Sequence, residues 1–119
     1  MSTTAAFDLP AFVAAIEARD AETQIALFAE DAVVTTCDHE HPPSRPLVAR
    51  GRDEIAAQLR DVVGRDMTHR VTDALVTDDR LVYALDCAYP DGTHVHCQVI
   101  AQLADGRISA QSGVQTWDH

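Results

Sequence analysis

The sequence predicts an α+β domain, with three helices in the first half followed by a curved antiparallel sheet. Three observations lead there. Apolar residues recur at helical spacing behind capping residues as far as Val63. A period of two takes over from Met67 onward. Two Asp-Gly turns, in Tyr89-Pro90-Asp91-Gly92 and Leu103-Ala104-Asp105-Gly106, then divide the second half into hairpins. With 119 residues, no internal repeat and no low-complexity linker, a single domain over residues 1–119 accounts for the chain.

The elements follow in order. Asp8 is the N-cap of the first helix, Pro10 lies in its first turn, and Leu9, Phe12, Val13 and Ile16 form one apolar stripe. Asp20 caps a second, short helix that carries Ile25, Leu27 and Phe28. Asp31 to Thr36 reads as a strand, and Cys37 to Arg50, with three prolines and no periodicity, as a loop. A third helix runs from about Arg52 to Val63 on Ile55, Leu59, Val62 and Val63, with Gly64 at the C′ position. In the sheet, each turn predicts a three-residue loop, pairing Tyr89 with Thr93 and Leu103 with Arg107. Odd-numbered residues from Leu81 to Trp117 then share the apolar face. The other face mixes Asp86, His94, His96, Gln98 and Gln102 with Val82, Ile100, Ile108 and Val114.

Charge narrows the function. Nineteen acidic residues face nine basic ones, a formal net charge of -10, which repels phosphate backbones and disfavours nucleic acid as a partner. No apolar run approaches a membrane span, and no leader-like h-region opens the chain, so the expectation is a cytoplasmic protein without a membrane partner. All nine basic residues are arginine, which excludes Schiff-base chemistry on a lysine. Three cysteines, Cys37, Cys87 and Cys97, read as reduced, small, buried side chains rather than a disulfide framework.

The segment Ala26-Leu27-Phe28-Ala29-Glu30-Asp31-Ala32-Val33-Val34, followed by Gly51-Arg52-Asp53-Glu54-Ile55, resembles the nuclear transport factor two-like superfamily, and within it the SnoaL-like group. The likeness runs from Phe12 to Trp117. It implies a cone-shaped, cystatin-like roll in which three N-terminal helices close a strongly curved sheet around a pocket. It also implies a function drawn from a set that includes ketosteroid isomerases, scytalone dehydratase, polyketide cyclases and members that only bind. The resemblance puts the isomerase's tyrosine at Phe12, its base at Thr36 and its oxyanion acid near Val99. None of these can do that chemistry, which argues against ketosteroid isomerisation. The dehydratase's acid/base histidine falls at His69 and its helix-one aspartate near Glu17, while its tyrosine position holds Ile16.

His69, on the more apolar side of its strand with Met67, Val71 and Leu75, is therefore the candidate general acid or base; its alternative is a structural histidine bonded to a carbonyl or a tyrosine. Asp38 is its candidate partner from the rim. The cluster Cys37-Asp38-His39-Glu40-His41 has ligand-like residues, but reads as a polar loop at the mouth, and no metal or other cofactor is expected. Gln111 and Gln115 share the inner face with Gly113 and Trp117 and either recognise a carbonyl or hydroxyl group or reach solvent at the sheet edge. The expected pocket lining is Phe12, Ile16, Thr36, Tyr83, Cys97, Val99, Gln111, Gln115 and Trp117. Asp86 and His96 should face each other on the outer side, at the contact of a homodimer. The expected function is a cofactor-free isomerase, dehydratase or cyclase acting on an apolar oxygenated metabolite, or alternatively a non-catalytic ligand-binding or dimeric interaction module of the same fold.

Overall fold

A computed structural model describes residues 6–118 as three helices and one six-stranded curved sheet. Asp8 accepts from the Ala11 N–H at 3.1 Å and opens α1 (Leu9–Glu17), while Asp20 accepts from the Thr23 N–H at 3.1 Å and opens α2 (Ala21–Ala26). The second helix ends earlier than its apolar residues suggest. Leu27 is its C-cap and Phe28 begins β1 (Phe28–Cys37), because Phe28 is buried by sheet pairing with Ile108 rather than by a helical stripe.

The proline-containing segment is not all loop. Leu47–Arg50 forms β2, which pairs antiparallel with β1, and it leads directly into α3 (Gly51–Val63). Gly64 caps α3 with ordinary helical angles (φ -76°), so it is not a left-handed C′ glycine. Two arginines fix the helices over the sheet. The Arg19 guanidinium donates to the Val63 and Arg65 carbonyls at 2.7 and 2.6 Å, and Arg52 donates to the Phe28 carbonyl at 2.6 Å. Each closes carbonyls that a helix end or strand start leaves open.

The remaining strands are β3 (Thr68–Val76), β4 (Arg80–Ala88), β5 (His94–Ala104) and β6 (Arg107–Trp117). The sheet order is β2-β1-β6-β5-β4-β3. All neighbours are antiparallel except β1 and β6, which run parallel, so the sheet is mixed at that one seam. The first hairpin closes as the sequence predicts, with Tyr89 N–H donating to Thr93 O at 2.9 Å and Gly92 at φ +92°.

The second hairpin closes differently. Asp105 (φ 52°) and Gly106 (φ 75°) form a two-residue turn with both central residues left-handed, and Ala104 pairs with Arg107. A bulge at Ser109 follows, taking the register from Leu103↔Ile108 to Gln102↔Ala110. The shorter turn and the extra residue together shift pairing by two. Gln111, Gly113, Gln115 and Trp117 therefore keep the inner face, opposite Ala101, Val99, Cys97 and Val95. Ile108, ahead of the bulge, points inward and is fully buried, contrary to its expected outer position. A second bulge, at Thr72 in β3, turns Leu75 outward to 63% exposure and leaves Val71 and Val76 packed on the core.

Phe12, Ile55, Leu81 and Ile108 are the largest fully buried side chains. Phe12 stacks edge-on against Phe7 and Tyr83, with ring centroids 5.4 and 5.3 Å apart. We expect Ile108→Ala to lower the unfolding free energy by about 2–5 kcal/mol in urea titration. A loss below about 1 kcal/mol would return Ile108 to the outer face and remove the bulge from the account.

Candidate functional site

The inner face of β4–β6 does not pack flush against the helices. Between them lie two adjoining lobes of about 130 and 140 Å³, with Leu59, Val62, Tyr83, Leu85, Cys97 and Gln115 in the walls of both. An apolar void near 150 Å³ accepts a single aromatic ring, so each lobe is of ring size. The first lobe is also lined by Ile16, His69, Cys87 and Trp117, the second by Thr36, Val99, Gln111 and Gly113. Every expected pocket residue lines one lobe or both except Phe12. Its ring lies in the packed core with Phe7, because α1 turns its apolar stripe onto β3 and β4.

His69 sits directly across from Cys87 in the β3–β4 ladder, and its Nδ1 lies 3.1 Å from Cys87 Sγ. Its Nε2 is buried with no partner among the described residues. Neither carboxylate that sequence reasoning offered to His69 bonds to it. Glu17 instead accepts from the Val71 N–H at 3.0 Å, beside the β3 bulge. Asp38 bonds His41 Nδ1 at 2.8 Å and accepts from the Glu40 N–H at 2.8 Å, which folds residues 38–41 into a tight polar turn. Burial pushes the Asp38 carboxyl upward, but the hydrogen bonds from His41 and Glu40 outweigh it and hold its pKa below the usual carboxylate range. Asp38 is thus an ionised loop residue, outside the lining of either lobe.

The thiol took the place expected of a carboxylate. Cys87 and Cys97 adjoin on the inner face, and the hydrogen bond from Cys97 pulls the Cys87 pKa well below that of an ordinary thiol. Burial opposes this shift, and the His69 contact adds to it. The same bond, together with burial, pushes the Cys97 thiol up. Of the two thiols, Cys87 is thus the more acidic, and it is the one that His69 Nδ1 meets. Tyr83 lines both lobes, and burial, followed by the neighbouring Cys97 and Cys87, raises its pKa, so it stays a protonated donor.

The two glutamines divide. Gln115 accepts from Trp117 Nε1 at 3.1 Å, which fixes Oε1 as the acceptor and leaves its NH₂ free. Gln111 Oε1 is buried without a partner among the described residues. At the mouth, the His39 ring lies 4.3 Å from that of Trp117, and Tyr89 6.0 Å from it. On the outer face Asp86 and His96 form their cross-strand pair at 2.7 Å, and Leu75, Ile100 and Val114 are exposed. Among the described residues no helix is long and apolar enough to cross a membrane.

The model of the SnoaL-like domain family matches residues 9–111. No curated protein matches the chain. Among solved structures, an NTF2-like protein of unknown function from Mesorhizobium loti superposes with a TM-score of 0.76 at 19% identity, over 87% of this chain and 84% of that one. A ketosteroid isomerase candidate from Kribbella flavida gives 0.71 at 19% identity over 92% and 74%. Wild-type IdmH, a polyketide cyclase candidate from Streptomyces antibioticus, gives 0.65 at 24% identity over 90% and 88%. At these identities the likeness is one of fold.

Two outcomes follow from the site. Between its depressed folded pKa and the ordinary thiol value of 9.0, Cys87 is ionised in the fold and protonated in the unfolded chain. Stability therefore rises with pH across that window and is lost as pH falls through the folded pKa. The urea-midpoint difference between the protein and Cys87→Ala should be larger at about pH 8.5 than at about pH 6; a constant difference contradicts a thiolate. Gln111→Leu removes an unpaired buried acceptor and should stabilise the ligand-free protein by about 1–3 kcal/mol while weakening ligand binding. Thermal unfolding and a binding titration check the two halves, and a destabilised Gln111→Leu would mean that the amide already has a partner.

Proposed function

The chain belongs to the SnoaL-like domain family, and on that premise we propose that it is a cofactor-free acid/base catalyst acting on a small, apolar, oxygenated molecule. The observation that carries this reading is that His69 lines a ring-sized cavity and that its buried Nε2 has no partner among the described residues. With Nδ1 occupied by the Cys87 sulfur, the ring is held at one end and Nε2 is the position left to exchange a proton with a ligand. Tyr83 O–H and the Gln115 amide supply donors for a carbonyl oxygen, and Gln111 Oε1 supplies an acceptor for a hydroxyl. Such a set suits a proton shift next to a carbonyl, the step common to isomerisation, dehydration and cyclisation. The resemblance places Phe12, Thr36 and Val99 at the positions of the ketosteroid isomerase groups, which argues against that arrangement.

Ring-sized ketones provide the test without a known substrate. With cyclohexanone in deuterated water, the protein should accelerate exchange of the protons next to the carbonyl, read by proton NMR. His69→Gln should lower that rate by about 10²-fold or more, with binding, followed by Trp117 fluorescence, largely kept. Equal exchange by His69→Gln and the unaltered protein would leave the non-catalytic ligand-binding module as the function.

For the outer face we propose a second copy of the chain. The exposed Leu75, Ile100 and Val114, on the same face as the Asp86–His96 pair, support that occupant, since a face that carries both an apolar patch and a polar pair can meet its own symmetry mate. Gel filtration of Asp86→Ala should show a weakened dimer; an unchanged one contradicts the assignment.

A further inference from the structure

We propose that Cys87 is a nucleophile of the same cavity, one that adds reversibly to conjugated carbonyl compounds, α,β-unsaturated ketones or aldehydes of about one ring in size. This rests on the reading that the cavity takes a carbonyl ligand, and it narrows that ligand to an electrophilic class. Three independent features of the geometry lead to it. Cys87 Sγ lies 3.1 Å from His69 Nδ1, the nucleophile–base contact of activated cysteines. Cys87 is 4% exposed yet lines the first lobe, so it faces the cavity rather than bulk solvent. The groups around it are those an enone requires. The Tyr83 hydroxyl and the Gln115 NH₂ can receive the carbonyl oxygen, and Leu85, Val95 and Met67 can cover the carbon skeleton.

The step balances with these residues and solvent water. The Sγ electron pair forms a C–S bond to the β-carbon, and the alkene π pair shifts towards the carbonyl to give an enolate, whose oxygen the donors stabilise. The His69 ring then passes its Nδ1 proton to the α-carbon and regains one from solvent, leaving a thioether and a neutral imidazole. The reverse sequence removes the α-proton, expels the thiolate and restores the pair. While the adduct lasts, the former double bond is single and can rotate. Cys97 stays a thiol throughout and acts as a hydrogen-bond donor to its neighbour. An ordinary thiol is only a few per cent ionised near neutrality, so ionisation by the neighbours is a large part of the expected gain.

The test uses the unaltered protein with cyclohexenone, with cyclohexanone as the saturated control, read by intact mass and peptide mapping. One adduct should form on Cys87, faster than on Cys97 or the half-exposed Cys37, and should be lost on dilution. A bulky charged disulfide reagent should prefer Cys37, because size excludes it from the cavity. His69→Gln, or His69→Asn if the first does not fold, should slow addition by about tenfold or more, because no ring beside Sγ then delivers the proton to the α-carbon. If cyclohexanone binds by Trp117 fluorescence while Cys87 stays unmodified by cyclohexenone, the nucleophile is overturned and the pocket reading stands. If neither ketone binds nor Cys87 reacts, both fall. An adduct on Cys87 that the His69 variants do not slow overturns the activated pair.

Discussion

Side chains alternate strictly along a strand, so which residues face the cavity depends on the count of residues between turn and site. Two bulges set that count here. At Thr72 the extra residue lets His69 and Val71 face inward at one end of β3, while Ala74 and Val76 do so at the other. At Ser109 the extra residue undoes the parity change made by a two-residue turn, which brings Gln111, Gly113, Gln115 and Trp117 back to the inside. Removing either bulge would carry its strand's polar set through the sheet to the opposite face. Glu17 bonding the Val71 N–H and Ser109 Oγ bonding the Gln102 carbonyl at 3.2 Å hold polar groups at the two irregular places.

The curvature these bulges permit is what leaves a cavity under α3 instead of a flush core. A packed interior tolerates few polar groups, and each needs a partner. This interior retains His69 Nε2 and Gln111 Oε1 without partners among the described residues, and it places two thiols in contact. Polar groups left open in this way cost stability in the ligand-free protein, and such sites are where proteins trade stability for binding. The polar side chains are spread over the two lobes unevenly. His69 and Cys87 line the first lobe alone, Tyr83, Cys97 and Gln115 line both, and Thr36 and Gln111 line the second alone.

Much of the fold was legible in the sequence where local chemistry decides it. Asp8 and Asp20 cap helices because a carboxylate satisfies free N–H groups whatever lies beyond. The Asp91-Gly92 turn closes as its residues require. What was not legible depends on partners distant in the chain. Four residues, Leu47–Arg50, become a strand only because β1 offers an edge to pair with. Ile108 goes inside only because the turn before it is one residue shorter than its residues suggest. The His69–Cys87 contact follows from the β3–β4 register, which the short turn after Thr77 sets: Thr77 N–H donates to Arg80 O at 2.8 Å, and counting back from it comes within one residue of the observed pair. The bulge supplies the missing one. Asp38 was assigned from its type and its place near the mouth, but a histidine three residues on satisfies it first.

The central claim is that the functional surface of this protein is its interior, the cavity walled by His69, Cys87, Tyr83 and the two glutamines. Amide and side-chain NMR of the labelled protein, titrated with cyclohexanone, tests it most directly. The account predicts shifts centred on the His69 ring, the Gln111 and Gln115 amides and the Trp117 indole N–H, with Asp86, His96 and Ile100 on the outer face unmoved. Shifts confined to that outer face, or none at a saturating concentration, would contradict it.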